Sequence, residues 1–276
     1  MNKSEPGTDR LWFEYLSSTK MSGLRLFCFP YAGGSAEIYR DWQKWFPPDI
    51  EVCLVHLPGH GKRIAETAFT RISALVSTLG DRMGPEIRTP YALCGHSMGA
   101  LISFELSWEL TRRYGAGPQH LFVAGRSAPQ WPRNRPATFH LPDDEFLLEL
   151  KRLNGTPRDV LENPDLMELF LGVLRADFEL VETYEYQHTG PLDCPITVYS
   201  GLDDEDIPLE ACQAWRHETT SICTIRRFKG DHFFIRDSKS EFVNVFRNDV
   251  LSAVSVWHEK MNLSKTLGNM SESRSC

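Results

Sequence analysis

The chain moves between two hydrophobic rhythms. Short, nearly continuous apolar runs at Leu24–Phe29, Glu51–Val55, Tyr91–Cys94, His120–Ala124, Pro195–Ser200 and Ile222–Phe228 have the length and composition of buried strands. Between them, apolar residues recur three and four apart. Ile72, Leu75, Val76, Leu79 and Met83 mark one helical face, and Leu101, Phe104 and Trp108 mark a face of a helix over Met98–Tyr114. Strands alternating with helices predict an α/β chain, with a mostly parallel sheet flanked by helices on both sides. Ligands of such sheets gather at the carboxyl ends of the strands.

One stretch breaks the rhythm. Residues 130–186 hold no strand pattern. Gln130–Pro142 carries Pro132, Pro136 and Pro142 and reads as a loop. Asp143–Leu153 reads as a helix that Asp143 can cap. Asn163-Pro164 opens a second helix, with Leu166, Leu169, Phe170, Val173 and Leu174 among its apolar positions. The expectation is a helical lid inserted into a core made of residues 23–129 and 187–260. The blander alternative is an extra packing layer. Residues 1–22 and 261–276 read as polar terminal segments.

Charge and cysteine usage narrow the class. A net charge of −7 over 276 residues argues against broad nucleic-acid binding. No apolar run reaches the roughly 18 residues of a membrane span, and Met1–Lys20 lacks the apolar core of a secretory signal. The seven cysteines form no C-x-x-C pair, which fits free thiols in a reducing cytoplasm. No His, Cys and acidic cluster has ligand spacing, so neither a metal nor a bound cofactor is expected. A monomer is the default expectation.

The chemistry concentrates at Gly95-His-Ser-Met-Gly99, between the Tyr91–Cys94 run and the Met98–Tyr114 helix. G-x-S-x-G between strand and helix marks a nucleophile elbow, with Ser97 as the nucleophile. A serine hydroxyl needs a base, and the base needs an acid to orient it. In elbow enzymes the chain order is serine, acid, histidine. Asp203, Asp204 and Asp206 follow the strand that ends near Gly201, and His232 follows the next one. Asp204 is favoured as the acid, with Asp203 and then Asp206 as alternatives. His96 adjoins the serine and reads as structural. His140 and His188 flank the insertion. The backbone N–H groups of Met98 and of Ala32, in Phe29-Pro-Tyr-Ala-Gly-Gly-Ser35, are the expected oxyanion donors. Leu57-Pro-Gly-His-Gly-Lys-Arg63 reads equally as a shaper of the site mouth, a surface facing a partner or a structural turn.

Taken together, these segments resemble the type II, or external, thioesterases of nonribosomal peptide and polyketide synthesis, relatives of the medium-chain thioesterase of animal fatty acid synthase. The insertion matches too, through Leu153-Asn-Gly-Thr-Pro157, Asn163-Pro164, Leu174-Arg-Ala-Asp177 and Tyr184. The likeness spans about residues 24 to 258. The family often has Arg where His60 stands and Gly where Asp231 stands. The resemblance implies the α/β-hydrolase fold, no cofactor beyond the phosphopantetheine carried by the substrate, and acyl or peptidyl carrier protein domains as partners. It implies hydrolysis of carrier-bound acyl or aminoacyl thioesters, in editing or in product release. Arg126, Arg133, Arg135, Lys151 and Arg152 are candidate contacts to an acidic carrier. Competing readings are a small-molecule esterase or lipase of the same fold and a non-catalytic binding protein.

Overall fold

The computed structural model describes residues 9–17, 23–87, 90–155, 163–187 and 190–272. The first described elements are a single helical turn, α1 (Asp9–Trp12), and a short strand, β1 (Phe13–Tyr15). Then follow β2 (Leu24–Phe29), β3 (Ile50–Val55), α2 (Ile72–Met83), β4 (Tyr91–His96), α3 (Met98–Tyr114) and β5 (His120–Ala124). Two helices come next, α4 (Asp143–Leu153) and α5 (Pro164–Glu182). The chain then returns to the sheet with β6 (Ile196–Gly201), α6 (Leu209–Gln213), β7 (Cys223–Phe228), α7 (Phe234–Asp237) and α8 (Lys239–Glu272).

The strands form one sheet in the order β1-β3-β2-β4-β5-β6-β7. All neighbours are parallel except β1, which pairs antiparallel with β3. From β2 the chain moves outward to β3, then crosses back to β4 on the other side of β2. The carboxyl ends of β2 and β4 therefore flank the switch point where such sheets open a crevice.

Both faces of the sheet are covered, which explains strands that are apolar throughout rather than at alternate positions. Side chains still alternate between faces. Leu26 and Cys28 join Phe242, Phe246 and Val250 of α8 in one layer. Phe27 and Phe29 join Leu79 of α2 and Ile102 and Leu106 of α3 in the other. All are fully buried, and each large apolar side chain so placed stabilises the fold by ~1.5–3 kcal/mol.

The segments α4 and α5 have a smaller cluster of their own, made of Phe146, Leu150, Met167 and Leu174. Asn163 caps α5 by accepting the Leu166 N–H at 3.2 Å, as the Asn-Pro pair suggests. Pro142, not Asp143, stands at the cap position of α4; Asp143 lies in the first turn and pairs with Arg175. Further along α5, Leu180 belongs to the α2–α3 side of the main core. One helix thus ties the insertion to the sheet.

Residues 12–15, within the segment read as polar, pack into the fold. Phe13, Glu14 and Tyr15 lie opposite Val55, Leu54 and Cys53 of β3, and Trp12 and Phe13 are buried. The antiparallel strand covers an edge that β3 would otherwise leave open. At the other end, the backbone of α8 continues as helix through Glu272, into the segment read as a polar tail. Thr156, Pro157, His188 and Cys276 lie outside the described residues. Among the described residues no helix is long and apolar enough to cross a membrane.

Candidate active site

Ser97 occupies a sharp turn between β4 and α3, with φ 53° and ψ −110°. This backbone conformation is costly for a residue with a side chain. The flanking glycines make room for it. A Cβ on Gly95 would lie 2.1 Å from the Gly99 carbonyl, and one on Gly99 would lie 2.1 Å from the Phe29 oxygen. The Ser97 N–H donates to the Ala124 carbonyl at 2.8 Å, anchoring the turn to β5. Met98 is the first residue of α3, so its N–H lacks an intrahelical acceptor. Phe29 of β2 lies opposite Gly95 of β4. The loop bearing Ala32 therefore leaves the sheet beside the turn bearing Ser97.

Two strands away, β6 and β7 pair in parallel up to Gly201 and Phe228, and the loops that follow face each other. Of the three candidate carboxylates, Asp204 reaches His232: the ring Nδ1–H donates to its Oδ2 at 2.8 Å. Asp204 Oδ1 accepts the Asp206 N–H at 3.1 Å. Asp203 instead accepts the Gly230 N–H at 3.1 Å. Asp206 pairs with Arg135 at 3.0 Å and Arg152 at 2.9 Å. With Nδ1 protonated, Nε2 of His232 carries the lone pair. Ser97, Ala32 and His232 line one cavity of ≈ 990 Å³, whose walls include Trp131, Leu174, Phe178 and Val181.

His96 has the structural role expected of it. It is buried, and its Nε2–H donates to the His232 carbonyl at 2.9 Å. Burial pushes its pKa well down, and the neighbouring His232 ring adds to this, so the imidazole stays neutral. Its edge meets Tyr31, whose ring stands T-shaped 5.5 Å away. The backbone of the histidine loop is thus held from beneath.

The insertion touches both loops of the site through Asn154 and Asp177, which lie in the segments that carry the family resemblance but had no role assigned from the sequence. Asn154, in left-handed conformation at the end of α4, donates to Asp231 at 3.0 Å. Burial would raise the Asp231 pKa, but this bond, the Phe233 N–H and nearby cations lower it. His60 is buried rather than at the mouth, and it bonds Asp177 of α5. An acid in the middle of an otherwise apolar helix face was the available signal.

The arginines proposed to meet a carrier are mostly engaged. Arg133 pairs with Glu182 at 2.6 Å, and Arg135 and Arg152 share Glu149 and Asp206. Arg126 lines the cavity, and burial lowers its pKa to about 10. Lys151 is exposed. Among the described residues, Glu14, Glu37 and His56 bring ligand-type atoms within 4.8 Å of one another. Arg40 and Lys62 already pair with these acids, so the cluster is accounted for as an ion-pair network.

The profile of the thioesterase-domain family matches residues 24–249. The chain belongs to the thioesterase family. It is 41% identical over 232 residues to the gramicidin S biosynthesis protein GrsT of Aneurinibacillus migulanus, covering 84% of this chain and 91% of that protein. Among solved structures, BorB, a type II thioesterase from the borrelidin biosynthetic cluster, superposes with a TM-score of 0.78 at 30% identity, covering 86% of this chain and 97% of that one. YbtT, a type II thioesterase from the yersiniabactin NRPS/PKS pathway, superposes with a TM-score of 0.75 at 30% identity, covering 88% and 99%. This thioesterase is accordingly a hydrolase of the type II class, on a seven-stranded α/β sheet.

Proposed function

We propose that this thioesterase removes acyl or aminoacyl groups from the phosphopantetheine arm of carrier proteins, clearing a nonribosomal peptide or polyketide synthase of stalled chains. One observation carries the chemistry: Ser97, on its strained turn, and His232, bonded to Asp204, open onto the same cavity as Ala32. Nε2 of His232 accepts the Ser97 proton as Oγ attacks the thioester carbonyl. The N–H groups of Met98 and Ala32 stabilise the oxyanion, each by a factor of ~10²–10³ in rate. The C–S bond breaks and the pantetheine thiol leaves with the proton from His232. Water, deprotonated by His232, then cleaves the acyl-Ser97 ester and releases the acid.

In this reading residues 130–186 form a lid over a core of residues 23–129 and 187–260, and Trp131, Phe178 and Val181 receive the acyl chain. The free cysteines Cys28, Cys53, Cys94, Cys194, Cys212 and Cys223 support a reducing compartment, the cytoplasm. The test compares turnover of one acyl group on a carrier protein, on pantetheine and as a simple oxygen ester, in wild type and Ser97→Ala. Carrier-bound thioester should be strongly preferred and Ser97→Ala inactive. A preference for the simple ester would reassign the substrate; full activity without the serine would reassign the nucleophile.

A further inference from the structure

The loop that carries the proposed oxyanion donor is held from the insertion by a buried ionic contact. Asp177 lies on α5 between Leu174, in the insertion's own cluster, and Leu180, in the main core. Its Oδ2 accepts the Gly33 N–H at 2.6 Å. The same oxygen faces Nε2 of His60 at 2.8 Å, and Nδ1 of His60 faces the Pro58 carbonyl at 2.9 Å. The two side chains are 4% and 3% exposed. One turn before Asp177, Leu174 presses on the same loop: a Cβ on Gly33, whose φ is +72°, would lie 2.4 Å from its Cδ2. The Gly33 N–H belongs to the peptide that joins it to Ala32, so this bond orients the peptide next to the Ala32 N–H.

The proton count follows from the acceptors. A carbonyl and a carboxylate can only accept, and both ring nitrogens of His60 face one. The pair therefore holds one proton more than a neutral imidazole and a carboxylate would. Without it, the ring keeps a single N–H, so one of the two contacts loses its proton, and whichever tautomer remains, the buried carboxylate has lost its cation.

We propose that His60 and Asp177 are positioning residues that form a proton-dependent lock, seating α5 on the Ala32–Gly33 loop and holding the oxyanion donor in place. This rests on the reading of Ala32 as a donor. Asp177 is the charged side chain that acts on His60. On His60's own loop, Lys62 pairs with Glu14 and Arg63 with Glu66. On α5, Arg175 turns to Asp143. On the Ala32 loop, burial raises the Tyr31 pKa, so its phenol stays neutral. Burial alone would lower the His60 pKa; the Asp177 carboxylate and the Pro58 carbonyl outweigh it and raise it. A raised histidine stabilises the native state fully at low pH, and the contribution is lost as pH rises through the folded-state value. The lock is closed below that folded-state value and opens as pH rises through it.

The experiment follows kcat, KM and melting temperature across pH for wild type, His60→Arg and His60→Gln, with an acyl-pantetheine thioester as substrate. Wild type should lose kcat and thermal stability on the alkaline side. His60→Gln, which cannot carry the charge, should show kcat lowered about 10- to 100-fold even at the lower pH values, the range expected for a misplaced catalytic geometry, with KM changed much less. His60→Arg, whose charge is permanent, should restore most of that loss and abolish the alkaline fall in both kcat and melting temperature. Superimposable profiles for wild type and His60→Arg, no alkaline fall in wild type, or wild-type kcat in folded His60→Gln would each overturn the proposal. If His60→Gln fails to fold, wild type against His60→Arg still decides. Activity surviving in Ser97→Ala would sink the serine mechanism instead, and the melting profiles would still report on the lock.

Discussion

The sheet and the insertion between β5 and β6 are held by different balances of force. In the sheet, Phe27, Phe29, Leu93 and Phe122 have no solvent exposure, nor has Phe246 of the helix beneath it, and helices press from both sides. In the insertion, a cluster centred on Phe146, Leu150, Met167 and Leu174 is ringed by ion pairs: Arg133 with Glu182, Arg152 with Glu149, Arg175 with Asp143. Partly exposed pairs of this kind each contribute only ~0–1 kcal/mol. The groups proposed for chemistry stand on loops leaving the rigid sheet, whereas α4 and α5 reach those loops through Asn154 and Asp177. The arrangement separates precision from access. On the proposed reading, strand ends hold the reacting groups in place and the thinner layer is the lid that admits the substrate's pantetheine arm.

That contrast is open to experiment. The largest effect should come from the strand end: Ser97→Ala lowers kcat by at least about 10⁴-fold, as removal of a triad serine does, while the melting temperature stays close to wild type. A matched pair of core deletions comes next. Phe246→Ala, under the sheet, should destabilise the whole protein by about 3–5 kcal/mol in urea unfolding. Phe146→Ala removes the same side chain from the insertion and should accelerate amide exchange in α4 and α5, leaving β4 and α3 protected. Equal global destabilisation by both would erase the distinction. Asn154→Gly keeps the left-handed backbone (φ 56°) and removes only the bond to Asp231; its effect on stability should stay within about 1 kcal/mol. The smallest change is expected from Arg135→Ala, below ~1 kcal/mol by the same unfolding assay. If it also leaves the salt dependence of carrier-bound turnover intact, Arg135 serves Asp206 and Glu149 rather than a partner.

The legible part of the molecule was local. Continuous apolar runs located β2 through β7 to within two residues, because a strand covered on both faces must be apolar at nearly every position. Gly95 and Gly99 announced the turn at Ser97, because only glycine tolerates the backbone approach found there. The strand β1 escaped notice because three residues carry little pattern, and Trp12 and Phe13 count only once β3 is beside them. Among Asp203, Asp204 and Asp206 the sequence ranked Asp204 first but left the other two open; each has a different partner in space.

The sequence alone determined the alternation of strand and helix, the serine turn, and the order serine, acid, histidine, since each depends on neighbours along the chain. Only the tertiary structure decided which carboxylate faces His232 across 28 residues, and that His60 meets Asp177 across 117. Such contacts depend on how separate elements pack, and a buried charge declares its partner only when water has been removed from around both.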